Sequence, residues 1–277
     1  MNTSVVTIDG LAAAFDARSP IDISIPLRFN GPQPNAFGVP AAQSEPCRAG
    51  DIVGDTRLGG SCNFESYTFI PHCTGTHTEC VGHITNERIS VRECLKDVLV
   101  PTLLVSIAPV AGIETSETYS QPFEPGDLVV TASSIEAALD DAVNAGVVKA
   151  VIIRTLPNDD SKLSRRYPSD TLPPFLTSDA AGVLVESGID HLLVDLPSID
   201  RMYDDGRLSN HRTFWNVEAG KFEVNGDSRV SSTITELIYV PPAVSDGLYL
   251  LNLQIAPFAA DAAPSRPILL PLAATTP

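Results

Sequence analysis

The chain has 277 residues, a formal net charge of −16 and a pI near 4.5. This length fits one large domain or two small ones, and a hydrophobic content of 43% is enough to form a substantial core. The acidic balance argues against a nucleic-acid partner, because no basic stripe is present to neutralise phosphates, and against binding to an anionic membrane.

The N-terminal stretch, residues 1–19, lacks the basic segment of a secretory signal, and acidic residues interrupt its apolar part. The spacing of Leu11 and Phe15 instead predicts a short packing helix. No run approaches the apolar length of a transmembrane helix. Five cysteines, an odd number in a chain without a signal, favour reduced thiols, so the expected location is the cytoplasm.

Strand patterns and helix patterns then alternate along the chain. The segment from Ile21 to Ile25 alternates apolar and polar residues as a half-buried strand does, and a loop rich in Pro and Gly follows over residues 26–61. Further strands are predicted over residues 67–70, 98–105, 127–131, 148–154, 192–196 and 247–255.

Two helices are predicted between these strands, and their order indicates the fold class. One covers residues 135–144 and is capped by Ser133 or Ser134, and the other covers 178–187 and is capped by Thr177. The strand–helix–strand order predicts parallel α/β units. No linker or repeat marks a boundary, so we expect one domain over residues 1–277.

Residues 71–84 read P-H-C-T-G-T-H-T-E-C-V-G-H-I and concentrate groups that bind metals. They contain three of the five histidines of the chain, two of its five cysteines and a glutamate. Such donors have little structural reason to gather in a chain that is otherwise rich in Ala, Pro and Val. The segment therefore predicts a metal site.

The spacing of the donors favours an extended segment over a helix. Cys73, His77, Glu79 and His83 have the same parity and would project to one face of a strand. In a helix, Glu79 would point roughly opposite Cys73. A bend at one of the glycines would let His72 replace Cys73, so the choice between these two donors stays open.

Two simpler interpretations compete with a catalytic metal. A closed structural zinc site usually carries paired Cys-x-x-Cys or His-x-x-x-His units, and no Cys-x-x-Cys occurs in this chain. Buried histidines without a metal would be costly beside an unpaired glutamate. Mixed nitrogen, sulfur and carboxylate donors therefore favour a catalytic site.

The run from Gly75 to His83 resembles the G-T-H-x-D-x-P-x-H signature of the metal-dependent cyclase superfamily, which includes kynurenine formamidases (arylformamidases) and isatin hydrolases. Three further segments resemble motifs of that family: D-L-P-S-I-D at 195–200 with the following N-H-R at 210–212, T-E-L at 235–237, and P-S-R at 264–266. The resemblance thus extends from about Asp22 to Pro267.

The resemblance implies a fold, a site and a cofactor. The fold would be a single compact α/β domain with a mixed sheet and flanking helices, of the swivelling β/α/β type of that superfamily. The metal ligands would be Cys73, His77, Glu79, His211 and Glu236, and His83 would transfer protons. The cofactor would be one or two divalent ions, with Zn²⁺ favoured and Mn²⁺ as the alternative.

Three residues depart from the signature of the family. Cys73 stands where a histidine is expected, Glu79 where an aspartate is expected, and Val81 where a proline is expected. A thiolate would favour zinc over manganese, and the longer glutamate would shift its carboxylate. These departures leave the number of ions open and are compatible with a changed substrate or a lost activity.

The function that these residues predict is hydrolysis of an amide, formamide or lactam C–N bond by a metal-activated water. The alternatives are a non-catalytic homologue that binds small molecules and retains the metal, and a protein with a structural metal that acts at an interface. The expected partners are a small-molecule substrate and further copies of the chain in a homodimer or homotetramer, as the resemblance implies. The substrate-binding residues cannot be named from the sequence.

Overall fold

Nine strands form one mixed sheet in a computed structural model that describes residues 4–8, 11–139, 143, 146–167 and 172–272. The helices in this part of the chain are α1 Pro71–Thr74, α2 Val91–Cys94, α3 Ala132–Ala138, α4 Ser178–Glu186 and α5 Ser209–Trp215. The strands are β1 Ser4–Ile8, β2 Leu11–Phe15, β3 Ile21–Asp22, β4 Gln43–Pro46, β5 Arg48–Ala49, β6 Ile52–Val53, β7 Glu65–Thr68, β8 His77–Glu79, β9 Val100–Ile107, β10 Val110–Ala111, β11 Leu128–Val130, β12 Ala150–Thr155, β13 Phe175–Leu176, β14 His191–Val194, β15 Thr233–Glu236, β16 Gly247–Asn252, β17 Ala262–Pro264 and β18 Ile268–Pro271.

The strand order in the large sheet is β17-β8-β15-β14-β12-β9-β16-β18-β3. Strands β9, β12, β14 and β15 are parallel to one another, and antiparallel strands continue the sheet on both sides. This mixed sheet with flanking helices confirms the predicted α/β class and the single domain. It also sets β8, which carries two of the predicted donors, directly beside β15, which carries a third.

The side chains of β12 alternate between two cores, as expected for a strand in the middle of a covered sheet. Val151 and Ile153 face the larger core, against which α3, α4 and α5 pack, and Ala150 and Ile152 face the second core. All four side chains are fully buried. Complete burial of a valine or isoleucine typically contributes about 1.5–3 kcal/mol, so these two layers hold the sheet in place.

The two predicted helices are present, and one starts earlier than expected. The Thr177 hydroxyl accepts a hydrogen bond from the Ala180 N–H at 3.0 Å, which confirms the predicted cap of α4. The cap of α3 is Thr131 instead of Ser133 or Ser134, because the Thr131 hydroxyl accepts from the Ser134 N–H at 3.2 Å. Most of the predicted C-terminal part of this helix, within residues 140–144, lies outside the described residues.

The helix predicted around Leu11 and Phe15 is wrong, because Leu11–Phe15 form a strand that pairs with Ser4–Ile8. Strands β1 and β2 pair antiparallel from Ser4 opposite Phe15 to Ile8 opposite Leu11. Phe15 also forms a bridge with Leu272 at the other end of the chain. The β-branched residues of β1 and this distant pairing outweigh the helical spacing of two apolar residues.

The long loop predicted over residues 26–61 contains short antiparallel ribbons. Strand β4 pairs with β7, and β5 pairs with β6, but neither pair joins the large sheet. Phe29 contacts Tyr67 and Phe69, with ring centroids 4.5 and 5.8 Å apart, and so fixes the loop to the segment that precedes the donor run. Within the described residues, no helix is long and apolar enough to span a membrane.

Candidate metal centre

The donor-rich segment changes conformation three times, so it is not one extended strand. Pro71 starts α1, Gly75 is extended, β8 follows, and Val81–His83 form a 3₁₀ turn. Gly82 is required in that turn, because a Cβ atom there would lie 2.2 Å from the Ile89 carbonyl oxygen. The parity argument therefore applies only within β8, where His77 and Glu79 project to the same face.

Seven side chains converge where this segment meets β15, α5 and β17. In the described part of the chain they form three overlapping groups of potential ligand atoms, each with its atoms within 4.8 Å of one another. The groups are His72 with His83 and Asp261, Glu79 with His83 and His211, and His77 with Glu79 and Glu236. Five of the six residues predicted from the sequence are thus brought together, and Cys73 is the exception.

Antiparallel pairing of β8 with β15 accounts for the deepest part of the cluster. Glu236 is the register partner of His77, and its Oε2 lies 3.6 Å from His77 Nε2. Glu79 Oε2 lies 3.9 Å from the same nitrogen. The Glu236 carboxylate is held by the Ile199 N–H, which donates to Oε1 at 2.9 Å.

His77 presents a lone pair to the two carboxylates. Its Nδ1–H donates to the Gly75 carbonyl at 3.0 Å, which leaves Nε2 as the acceptor. Neither His77 Nε2 nor Glu79 Oε2 has a hydrogen-bond partner among the described residues, although both atoms are buried. Buried acceptors that face one another without a donor between them are unfavourable unless a cation lies there. The residues present therefore fit a divalent metal ion.

His211 enters the cluster from α5 and is oriented by Asp200. Its Nδ1 lies 2.6 Å from Asp200 Oδ2, and its Nε2 lies 2.9 Å from Glu79 Oε1. Asp200 also accepts hydrogen bonds from the Tyr119 hydroxyl and from the Asn210 N–H, both at 2.8 Å. A carboxylate on the far nitrogen of a histidine is the usual arrangement behind a metal ligand.

The electrostatics of the cluster couple the two buried glutamates to each other and to the surrounding histidines. Burial raises the pKa of Glu236, and the neighbouring Glu79 raises it further. Burial would also raise the pKa of Glu79, but His83, His211 and His72 outweigh it and hold that pKa well below its ordinary value. Burial lowers the pKa of His77 to about 4, so this histidine is neutral near pH 7 and is available as a ligand.

The cluster has a closed side and an open side. His77, Glu79, His211 and Glu236 are at most 3% exposed. The side chains of His72, His83 and Asp261 are 25–29% exposed. A small molecule would thus reach the cluster from the side on which His72, His83 and Asp261 lie.

Cys73 lies behind the donor cluster. Its side chain packs with Ala36, Tyr167, Met202 and Leu237 in a small apolar cluster. Burial first, and then the charge of Glu236, raises the pKa of its thiol to about 11, which disfavours the thiolate that metals bind. Successive residues of a helical turn point about 100° apart, so α1 turns the neighbouring His72 towards the donors instead.

We expect His72 to be needed for metal binding and Cys73 to be dispensable. The His72→Ala variant should bind zinc and manganese at least about tenfold more weakly, since it removes a nitrogen 3.5 Å from Glu79 Oε2. The Cys73→Ala variant should stay within about threefold of the parent protein, because it changes only the apolar packing. Titration calorimetry of both variants measures this difference. If Cys73→Ala lost more metal affinity than His72→Ala, Cys73 would be the ligand.

Two residues of the site were not identified as site residues from the sequence. Asp261 precedes the P-S-R segment, and its Oδ2 lies 3.1 Å from His72 Nε2 and 3.4 Å from His83 Nδ1. Asp200 closes the D-L-P-S-I-D segment. Asp200 lies within a family-like motif and Asp261 lies just before another, but nothing in the local pattern shows that either carboxylate reaches a histidine.

The chain matches the family profile described as "Putative cyclase" over residues 21–201. Similar solved structures include isatin hydrolase A from Labrenzia aggregata bound to benzyl benzoate, with a TM-score of 0.59, 15% identity, and coverage of 91% of this chain and 93% of that one. The "predicted metal-dependent hydrolase" from Bacillus stearothermophilus has a TM-score of 0.57, 17% identity, and coverage of 91% and 98%. Isatin hydrolase A from Ralstonia solanacearum has a TM-score of 0.57, 14% identity, and coverage of 91% of both chains. No curated protein matches the sequence.

These comparisons and the geometry cover different parts of the site. The structural matches, at these identities, show a shared fold. The family match includes the run from His72 to His83 but ends before His211, Glu236 and Asp261. The contacts described above are therefore the evidence that these three residues belong to the same site.

Proposed function

Because the chain belongs to the cyclase family, whose profile matches residues 21–201, we propose that it is a metal-dependent hydrolase of small molecules. We propose that it cleaves the C–N bond of an amide, a formamide or a lactam. The observation that carries the proposal is the pair of buried acceptors, His77 Nε2 and Glu79 Oε2, which face each other without a donor. Isatin hydrolases among the structures of the same fold support this reaction class.

The metal would be held by His77, Glu79, His211 and Glu236, with His72 and Asp261 on the open side. When bound, a divalent ion would polarise the substrate carbonyl and lower the pKa of water towards neutrality. These donors are nitrogen and oxygen atoms, which suit both zinc and manganese. Without a thiolate from Cys73, the preference for zinc rests on the abundance of histidine among the donors.

His83 is the residue of this chain suited to move the proton. Its imidazole is one-quarter exposed on the open side, and its Nε2 lies 3.9 Å from Glu79 Oε2, at the edge of the buried donors. Asp261 lies 3.4 Å from the opposite nitrogen, Nδ1, and can orient the ring. His83 would accept a proton from the attacking water at Nε2 and donate it to the leaving nitrogen.

The other residues of the site keep the reaction geometry fixed. Asp200 holds the ring of His211, and Trp215 packs beside that ring with centroids 5.4 Å apart. Trp215 is fully buried and donates its indole N–H to the Ser232 carbonyl at 3.0 Å, so it supports the site from behind. Neither residue reaches the open side.

The proposal is tested by elemental analysis of the purified protein together with a hydrolysis screen of formylkynurenine, isatin and simple lactams. We expect a stoichiometric transition metal, and we expect hydrolysis that stops with a chelator and returns with added metal. Metal without turnover of any substrate would favour the non-catalytic homologue. Absence of metal binding would refute the site itself.

We also propose that the protein acts in the cytoplasm as a homodimer or homotetramer. The β4–β7 ribbon supports self-association, because it stands apart from the large sheet and leaves Tyr67 54% exposed. Two-stranded ribbons are marginally stable alone, so packing against a second copy would stabilise it. Light scattering of the purified protein measures the number of subunits.

A further inference from the structure

A second cavity lies apart from the donor cluster, at the carboxyl ends of the parallel strands β12 and β14. Its volume is about 490 Å³, which is within the range of small-molecule sites. Its walls are mainly leucine and proline side chains, among them Leu128, Leu156 and Leu172. Carboxyl ends of adjacent parallel strands are a frequent location for ligands in α/β sheets.

The floor of this cavity is a buried ion pair that is already satisfied. Lys162 Nζ donates to Asp195 Oδ2 at 2.6 Å and to the Thr155 carbonyl at 2.7 Å. Asp195 also accepts from the Thr155 N–H and hydroxyl. The charges of Lys162 and Asp195 therefore balance each other at the floor of the cavity. The groups that could recognise a ligand lie around this ion pair.

Tyr167 supplies a donor that is not used within the described chain. The residue is 6% exposed, and its ring packs with Cys73, Met202 and Leu237. Its hydroxyl has no hydrogen-bond partner among the described residues, and the residue lines the cavity. The charged groups that act on this hydroxyl are Arg165 and Asp195, which both line the same cavity. Because Tyr167 lines the cavity and its hydroxyl is unpaired among the described residues, this O–H is free to donate a hydrogen bond to an acceptor bound there.

Arg166 supplies a free positive charge at the rim. Its side chain is exposed, and within the described residues its guanidinium forms no hydrogen bond or ion pair. The adjacent Arg165 is partly engaged, since it donates to the Ser161 hydroxyl and lies 3.8 Å from Asp159. In a chain with a net charge of −16, two neighbouring arginines over an apolar cavity form a local anion-attracting site.

We propose that this cavity binds a small carboxylic acid with an apolar or aromatic body. The carboxylate would accept hydrogen bonds from the Tyr167 hydroxyl and the Arg166 guanidinium, whose planar fork matches a carboxylate. The body of the acid would lie against the leucines and prolines. A dianionic phosphate fits less well, because most of the wall is apolar. This proposal does not depend on the hydrolase activity.

The test is titration calorimetry of the full-length protein with benzoate, cyclohexanecarboxylate and hexanoate, with benzamide as a neutral probe. We expect at least one of the acids to bind and benzamide to bind at least about tenfold more weakly. The Tyr167→Phe and Arg166→Gln variants should each raise the dissociation constant of that acid about tenfold, since each removes a hydrogen bond to a charged group. Tyr203→Phe and Arg207→Gln, which change an exposed tyrosine and an arginine outside the cavity, should have no effect.

Repeating the titration with chelator-treated protein and with the Glu236→Gln variant separates this cavity from the metal cluster. Binding at the cavity should survive both changes. The proposal is wrong if none of the three acids binds, if the Tyr167 and Arg166 variants bind as the parent does, or if binding disappears with the metal. Loss or absence of hydrolysis in the same samples affects only the proposed hydrolase function.

Discussion

The Glu79→Gln variant is expected to lose the metal and, with it, all hydrolysis. Glu79 is the carboxylate that the histidines share: its Oε1 lies 2.9 Å from His211, and its Oε2 lies 3.5 Å from His72 and 3.9 Å from His77. Glutamine keeps the volume but removes the charge on which these contacts depend. The loss of affinity should exceed the roughly 10–100-fold that removal of an outer partner of a ligand typically costs.

Elemental analysis and metal titration of Glu79→Gln measure the effect, and Glu114→Gln is the matched control. Glu114 is exposed and lies outside the three donor groups, so its variant should retain the metal content of the parent. Circular dichroism of both variants checks that the fold is kept. A Glu79→Gln protein with a full complement of metal would show that the ion lies elsewhere.

The second large effect is expected for His83→Gln, which should lose turnover and keep the metal. A positioned general acid–base group typically contributes a factor of about 10²–10⁴ in rate, so kcat should fall by that order. The buried donors His77, Glu79 and Glu236 are unchanged in this variant. The measurement is kcat on the active substrate together with metal stoichiometry on the same sample.

Loss of the metal together with activity would give His83 a different role. His83 Nδ1 and His72 Nε2 both face the Asp261 carboxylate. These three side chains could therefore hold an ion themselves. A His83→Gln protein without metal would therefore make His83 a ligand, and the proton would have to be carried by another group. Unchanged kcat with full metal content would exclude both roles.

The proximity of His77 and Glu79 was predictable from the sequence, because local spacing determines it. Residues two apart on a strand share a face, so His77 and Glu79 could be paired as donors before the structure was known. The same alternation does not continue from β8 through Gly75 to Cys73, so the prediction that Cys73 shares the face of His77 is wrong. Pro71 starts a helical turn that the spacing of the donors does not indicate. Strand β8 has only three residues, so its pattern of apolar and polar residues is too short to predict which strands pair with it.

Long-range contacts account for most of what the sequence did not predict. Asp261 reaches the site only because β17 pairs with β8, and no local pattern near residue 261 indicates this pairing. The pairing of β1 with β2 was not predicted, and Phe15 of β2 also bridges Leu272, a residue far away in the sequence that no local pattern indicates. In contrast, the cap Thr177 was predicted correctly, since capping depends on neighbours within three residues.

The position of β8 between β15 and β17 has a consequence for the newly made protein. At about 5–20 residues per second, a ribosome needs roughly 10–35 s to proceed from His83 to Asp261. The first histidines are made early in this interval, while β15 is missing until residue 233 and β17 is missing until residue 262. The centre is therefore completed only after Asp261 has been synthesised. A chain that stops before residue 233 displays a histidine-rich segment, residues 72–83, in which both edges of β8 are unpaired.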